Sequence, residues 1–195
     1  VQVDGGVKLS YLAKFVARYG LKGIEKFVGI PGSVGGSVAM NAGAEGAEIS
    51  QVLRSIKFMT LDGEIKTYSK NEMVFAYRKT TFPSKDGIVI EAELDLEKGK
   101  ISDIHREMDK YLSRRGSTQP LTMPNSGSIF KNPDGEKAGR LIESAGLKGC
   151  RIGGASVSIK HANFIVNKGG ALAEDVIRLI KHIQSVVEEK SGVKL

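Results

Sequence analysis

The 195-residue chain contains no tryptophan, three histidines and one cysteine, Cys150. A lone cysteine cannot close a disulfide within the chain, which fits a reducing compartment such as the cytoplasm. The cysteine and the scattered histidines do not have metal-ligand spacing, so we expect no metal site. No apolar run reaches the roughly 18 residues that would span a bilayer, and residues 1–6 do not resemble a secretory signal. We therefore expect a cytoplasmic location and no membrane partner.

Positive charge is in excess, with 29 Lys and Arg against 22 Asp and Glu, a net charge of +7 and a pI near 9.4. Such a chain attracts nucleic acid, anionic lipid or small polyphosphates. The basic residues are spread along the chain, and no zinc-finger, RRM or helix-turn-helix spacing is present, so a basic nucleic-acid-binding domain is the less favoured alternative. Anionic nucleotide ligands fit a diffuse charge about as well as nucleic acid does, and a solvated surface fits it better still.

Apolar periodicity predicts an α+β fold. In the first half it predicts two helices, each with one apolar face toward a core, and three strands, two of them joined by a hairpin at Asp62-Gly63. The helices are 8–19 (Leu9, Leu12, Phe15, Val16, Tyr19) and 101–115 (Ile104, Met108, Tyr111, Leu112), and the strands are 52–59, 64–68 and 88–96.

A segment with Ser117, Pro120 and Pro124 follows and favours a domain boundary, which gives domains 1–119 and 120–195. Beyond it the pattern predicts a helix over 138–145, a strand-like segment over 156–167 and a long helix over 173–189. The long helix is expected to turn one apolar side inward (Val176, Ile180, Ile183, Val187).

The segment 29–46, GIPGSVGGSVAMNAGAEG, is rich in small residues and nearly free of charge. Glycines allow a ligand to approach the backbone closely, and amides at the start of a helix can bind an anion. No lysine follows Gly36, so the segment is not a P-loop. Close helix packing through small residues is an equally good interpretation.

Two further segments carry groups that could take part in chemistry. In FAYRKTTF, residues 75–82, the planar fork of Arg78 suits a carboxylate or a developing oxyanion, and Tyr77 lies beside it. In PNSGSIFKNP, residues 124–133, Ser128 has no nucleophile elbow and no histidine in a triad arrangement. Ser128 could still donate a proton to a strong base such as an enolate. The simpler interpretations are a surface pair and a polar turn that caps a strand.

Taken together, these segments resemble the UDP-N-acetylenolpyruvoylglucosamine reductases, MurB-type flavoenzymes of peptidoglycan precursor synthesis, and their shorter second type in particular. The resemblance rests on GLKGIEKFVGIPGSVGGSVAMNAGAEG, YRKTTF, GSIFKNP, AGRLIESAGLKGCRIGGASVS and KHANFIVN, which are distributed over residues 20–168 in the order of the family. It implies an NADPH- and FAD-dependent oxidoreductase that converts UDP-N-acetylglucosamine enolpyruvate to UDP-N-acetylmuramate. The implied fold is a mixed α/β FAD-binding domain like that of vanillyl-alcohol oxidase, followed by a smaller α+β substrate-binding domain.

The resemblance also implies residue roles. Ser128 would be the proton donor, and Arg78 would stabilise the charge that develops on the substrate. The flavin would be lined by Pro31, Gly32, Ser33, Val34, Gly35, Gly36, Ser37, Asn41, Ala42 and Gly43. The substrate would contact Tyr77, Lys131, Asn132, Lys148 and His161.

Two segments of the family pattern are not found in this sequence. The family has an N-terminal loop that binds the FAD pyrophosphate and a C-terminal segment with a catalytic glutamate. We therefore expect a chain truncated at both ends, with domain 1–119 a partial FAD-binding domain. Alone, it should bind FAD weakly and turn over little, and an inactive fragment that retains UDP-sugar binding is the alternative.

Overall fold

The chain divides into two units, Val1–Ser113 and Arg114–Leu195, in the computed structural model, which describes residues 1–195. In chain order, the elements that begin in the first unit are β1 (Gln2–Asp4), α1 (Leu9–Arg18), β2 (Leu21–Lys22), α2 (Val34–Ala39), β3 (Gly43–Ala44), β4 (Ala47–Glu48), β5 (Leu53–Thr60), β6 (Ile65–Ser69), β7 (Val74–Ala76), β8 (Lys79–Thr81), β9 (Gly87–Leu94), β10 (Glu97–Lys98) and α3 (Ile101–Thr118). The division falls within α3, a few residues before the predicted boundary.

An antiparallel sheet in the order β1-β9-β5-β6 forms the centre of the first unit. The predicted hairpin is confirmed, because β5 and β6 pair around Asp62-Gly63 and Gly63 adopts a φ of 87°. Along β5 the side chains of Ile56 and Phe58 are buried, as the alternating pattern predicts. Helices α1, α2 and α3 contribute further apolar side chains to the same core.

The predicted core face of α1 is partly wrong. Leu9, Leu12 and Val16 are buried, but Phe15 and Tyr19 are 41% and 61% exposed. Two alanines complete the buried face of the helix. Phe15 and Tyr19 instead contact each other in a tilted arrangement, with ring centroids 5.2 Å apart and ring planes at 50°.

The predicted face of α3 is also partly wrong. Ile104 and Met108 are buried and Tyr111 is partly buried against the same core, whereas Leu112 is exposed. Heptad-like spacing marks a helical stripe, but the width of the buried face is set by the neighbouring elements.

The second unit has its own sheet and core. After the end of α3 its elements are β11 (Asn125–Ser128), α4 (Ala138–Ser144), β12 (Arg151–Ile152), β13 (Ala155–Val157), β14 (Phe164–Asn167) and α5 (Ala173–Ser191). The strands pair antiparallel in the order β11-β14-β13-β12. Helix α5 buries Leu179, Ile183 and Val187, while Val176 and Ile180, also predicted inward, are partly buried against the same core.

Residues 156–167 do not form one strand. The structure has β13 and β14 on either side of a turn over residues 158–163. The buried Ser158 hydroxyl accepts hydrogen bonds from the amides of Lys160 and His161, at 3.1 and 3.3 Å, and so stabilises that turn. In both units, none of the helices is both long and apolar enough to cross a lipid bilayer.

Candidate functional site

The glycine-rich segment folds as a loop that leads into the short helix α2. Ser33 caps the helix, because its hydroxyl accepts a hydrogen bond from the Gly36 amide at 3.2 Å. Pro31, Gly32 and Gly36 are exposed, and together they form an uncharged surface with little side-chain bulk. This surface is the part of the segment that a flat ring system could contact directly.

Other residues of the segment are packed into the unit. A Cβ on Gly35 would lie 2.7 Å from the Val89 carbonyl oxygen, so this glycine permits a close backbone contact. Val34, Ser37 and Asn41 are buried as well. The buried residues of the segment thus pack closely, as the small-residue interpretation predicts. The flavin contacts stay predictions for all ten residues, whether exposed, partly buried like Ser33, Ala42 and Gly43, or buried.

Asn41 connects the glycine-rich segment to the hairpin of β7 and β8. Its side chain is fully buried and donates to the Ala76 carbonyl at 3.1 Å and to the Glu48 carboxylate at 2.7 Å. Its Oδ1 accepts from the Ser50 amide at 3.3 Å. The buried Thr80 hydroxyl adds a bond to the Val38 carbonyl. These contacts fix the hairpin against the loop.

Tyr77 and Arg78 form the tip of that hairpin. The Arg78 Nη2 donates to the Gly43 carbonyl at 2.7 Å, and the guanidinium lies 4.8 Å from the centre of the Tyr77 ring. A guanidinium has five N–H donors, more than one carbonyl can occupy. The predicted flavin segment and the predicted catalytic arginine are therefore brought together in the first unit.

Ser128 ends β11, where it pairs with Phe164 of β14. The strand register shifts between Asn125 and Ser128, and Gly127 adopts a φ of 84°. Asn125 stabilises this irregular segment, since its Oδ1 accepts from the Gly127 amide at 2.9 Å. Such a bulge changes the direction of the side chain that follows it.

A cavity of about 440 Å³ lies in the second unit, beside the end of β11. Three of the predicted site residues line it: Ser128, Asn132 and His161. Three basic side chains line it as well: Lys137, Arg140 and Lys160. Such a concave, cationic surface suits an anionic ligand with hydroxyl and carbonyl groups.

His161 presents one defined nitrogen to a ligand. Its Nδ1 accepts a hydrogen bond from the Asn163 amide at 3.3 Å, which places the ring proton on Nε2. Burial lowers the pKa of His161, and the nearby charge of Lys148 lowers it further. The ring therefore stays neutral at pH 7 and can donate from Nε2.

The remaining predicted substrate residues have different surroundings. Lys148 forms an ion pair with Glu143, whose side chain lines the cavity, and Lys131 is exposed outside the cavity lining. The side-chain oxygen of Asn132 accepts a bond from the Ala138 amide at 3.1 Å, so it also supports the start of α4. The site roles of these three residues stay predictions.

Sequence reasoning missed the basic residues of the cavity and Asn163. Lys137 and Arg140 lie three residues apart at the start of α4, and Lys160 lies in the turn before β14. No local signal distinguishes these three from the many other lysines and arginines of the chain. Asn163 lies inside the KHANF motif, and the position of this polar residue directly before an apolar run was the available signal.

Two family models match the chain. Residues 119–195 match the C-terminal domain of UDP-N-acetylenolpyruvoylglucosamine reductase, and residues 1–69 match an FAD binding domain. The crystal structure of UDP-N-acetylenolpyruvylglucosamine reductase from Thermus caldophilus superposes with a TM-score of 0.88 at 40% identity, over 95% of this chain and 68% of that one. The chain belongs to this reductase family.

Curated reductases of the family are also similar in sequence. The Bacillus licheniformis reductase is 48% identical over the whole chain, and the Halalkalibacterium halodurans reductase is 45% identical over 97% of it. The chain spans 65% and 63% of the length of these two relatives. The fold expected from the motifs, an FAD-binding domain followed by the family's C-terminal domain, is confirmed.

Proposed function

We propose that the protein containing this chain is a cytoplasmic UDP-N-acetylenolpyruvoylglucosamine reductase that uses FAD and NADPH to form UDP-N-acetylmuramate for peptidoglycan synthesis. Domain 1–119 is the flavin side and domain 120–195 is the substrate side. Membership of the family at 40–48% identity, with the site motifs in family order, is the observation that carries the proposal. By itself, the 195-residue chain is expected to have little activity.

The exposed loop surface of Pro31, Gly32 and Gly36 fits a flavin. It carries no charge, and nothing lies within 4 Å of a Cβ built on Gly32, so a ring edge can approach the backbone. When bound, FAD supplies the hydride that it has received from NADPH, and this hydride is added to the terminal carbon of the enolpyruvyl double bond. The hairpin carrying Arg78 is fixed to the same segment through the Gly43 carbonyl.

Arg78 and Ser128 have different roles toward the substrate: Arg78 stabilises charge and Ser128 donates a proton. The Arg78 guanidinium binds the enolpyruvyl carboxylate and stabilises the negative charge that hydride addition leaves beside it. Ser128 donates its hydroxyl proton to the carbon next to the carboxylate, and water restores the proton to the Ser128 oxygen. One hydride and one proton are thereby added across the double bond. An enolate is a base strong enough to take a proton from serine.

The second-unit cavity binds the nucleotide part of the substrate. Lys137, Arg140 and Lys160 offer positive charge to the diphosphate, and Asn132 and the neutral His161 offer hydrogen bonds. Lys131 and Lys148 add positive charge outside the cavity lining, and Tyr77 stacks beside Arg78.

Ser128→Ala tests the proposal in the flavin-loaded protein. We expect flavin reduction by NADPH to be unchanged, while reoxidation by the enolpyruvyl UDP-sugar slows by about 10²- to 10⁴-fold, the range of general acid catalysis. Ser126→Ala removes a hydroxyl from the same strand and is the matched control. Equal losses in both half-reactions, or none in either, would refute the role of Ser128.

A further inference from the structure

Asn163 is a buried side chain attached to the segment that carries Ser128. It is 4% exposed and lies immediately before β14. Its Oδ1 accepts from the Phe130 amide at 2.9 Å, and its Nδ2 donates to the Phe130 carbonyl at 2.9 Å. The Asn163 backbone carbonyl accepts from the Ile129 amide at 2.9 Å. Three hydrogen bonds therefore hold the two residues that follow Ser128.

These bonds replace a strand partner at the point where pairing stops. The ladder between β11 and β14 ends at Ser128 and Phe164. Beyond it, Phe130 needs a donor and an acceptor for its backbone groups, since it is partly buried against the core of the unit. A primary amide offers one acceptor and donors in a single plane, much as a peptide group does. The Asn163 side chain thus makes the two hydrogen bonds with Phe130 that a neighbouring strand would otherwise make.

We propose that Asn163 is a positioning residue that fixes the Ser128 hydroxyl for proton donation. The inference rests on the proposed function, in which Ser128 is the donor. Both residues line the same cavity, and Asn163 reaches Ser128 through the backbone of Ile129 and Phe130. Proton transfer from a weak acid depends steeply on geometry, so a small displacement of this segment slows it.

Asn163→Asp keeps the size of the side chain but changes its hydrogen-bonding groups, so it tests positioning separately from packing. The aspartate keeps the acceptor for the Phe130 amide but turns a carboxylate oxygen toward the Phe130 carbonyl, where the amide had donated. Protonating that carboxyl restores a donor. The matched control is Asn167→Asp, because Asn167 Oδ1 also accepts from backbone amides, those of Gly169 and Ala171, at the far end of β14.

The two half-reactions are measured separately in the flavin-loaded protein across a pH series. For Asn163→Asp we expect reoxidation by the UDP-sugar to slow about 100-fold at pH 7, the effect of a displacement of about 1 Å. The loss should shrink as pH falls, because the protonated carboxyl donates again. Flavin reduction by NADPH should stay unchanged, and Asn167→Asp should match the parent protein in both steps.

A readout without turnover uses the 195-residue chain. Hydrogen exchange at the Ile129 and Phe130 amides should accelerate in Asn163→Asp and stay unchanged in Asn167→Asp. If Asn163→Asp does not fold, Asn163→Ser, whose hydroxyl is neutral, takes its place. Slower reoxidation and faster exchange are expected for that variant too.

Parent-like reoxidation in the Asn163 variant, or equal losses in both half-reactions, overturns the inference. A parent protein that reduces no UDP-sugar overturns the proposed function instead, while exchange still reports on Asn163.

Discussion

Arg78 adopts a backbone conformation that few residues with a side chain adopt. Its φ is 55°, and the other non-glycine residues with positive φ, Asn41 and Glu45, lie in the segment that its hairpin contacts. Such conformations cost free energy and persist where the surroundings enforce them, which is common at functional sites. Here the Asn41 side chain and the Gly43 carbonyl hold the hairpin tip in place. The strained backbone and the proposed charge-stabilising role thus coincide at Arg78.

Asp175 links the turn between β12 and β13 to the start of α5. Its carboxylate accepts from the Leu172 amide at 3.0 Å and the Gly154 amide at 3.1 Å, and these bonds lower its pKa from the ordinary 3.8. Because the folded pKa is the lower one, the stabilisation is fully present above pH 3.8 and is lost as pH falls through the folded value.

Asp175→Asn should therefore reduce the dependence of stability on pH in the acid range. We expect the variant to melt below the parent protein at pH 7, because it loses a charged acceptor, and the difference to narrow toward pH 3. Thermal melts of the 195-residue chain at a series of pH values measure this. The control is Asp134→Asn, an exposed aspartate in the same unit. A melting difference that is constant with pH would contradict the assignment.

At the scale of elements, short-range patterns were sufficient to predict four of the five helices and the long strands β5, β6 and β9, but not α2 or the short strands. The strands β5 and β6 and their Asp62-Gly63 turn follow from alternation and turn chemistry within a few residues. The exposure of Phe15 and Tyr19 could not be predicted, since periodicity marks a helical stripe without showing which part of it the sheet covers. The turn over residues 158–163 was missed for a related reason: its polar residues bond to Phe130 and to the Ser158 hydroxyl, which are partners that the pattern does not reveal.

Two neighbouring glycines of α2 are predicted to respond differently to a methyl group. Gly35→Ala should destabilise the chain by about 1–3 kcal/mol, because its Cβ meets the backbone oxygens of Val89 and Gly5 at 2.7 and 3.2 Å. Gly36→Ala meets only the Ser33 hydroxyl, at 3.2 Å, so stability should change little. Since Gly36 is exposed on the proposed flavin surface, its variant should instead weaken FAD binding.

Urea unfolding measures the effect on stability, and titration of FAD into the flavin-free protein measures the effect on binding. Each glycine serves as the control for the other. If Gly36→Ala binds FAD as the parent protein does, the exposed loop surface is not where the ring lies. If Gly35→Ala is as stable as the parent protein, the close backbone contact does not constrain this position.

For the whole molecule, the sequence predicted a set of site motifs but not how the fold groups them. Ser128, Asn132 and His161 were predicted separately, and the structure brings them to one cavity. The basic side chains of that cavity, two from the start of α4 and one from the turn before β14, are among many other lysines and arginines in the sequence. Only the tertiary structure groups them around one cavity, so the net charge could not show where an anionic ligand would bind.

The two units have separate cores, so a substitution that leaves a void in one core should destabilise mainly that unit. Ile142 is fully buried in the core of the second unit, and Ile142→Ala should cost about 2–5 kcal/mol there. Hydrogen exchange followed by mass spectrometry should show faster opening of Arg114–Leu195 and unchanged protection in Val1–Ser113. Ile177→Ala, at a 52% exposed position in the same unit, should change neither. Equal loss of protection in both units would mean that the chain unfolds as one cooperative body.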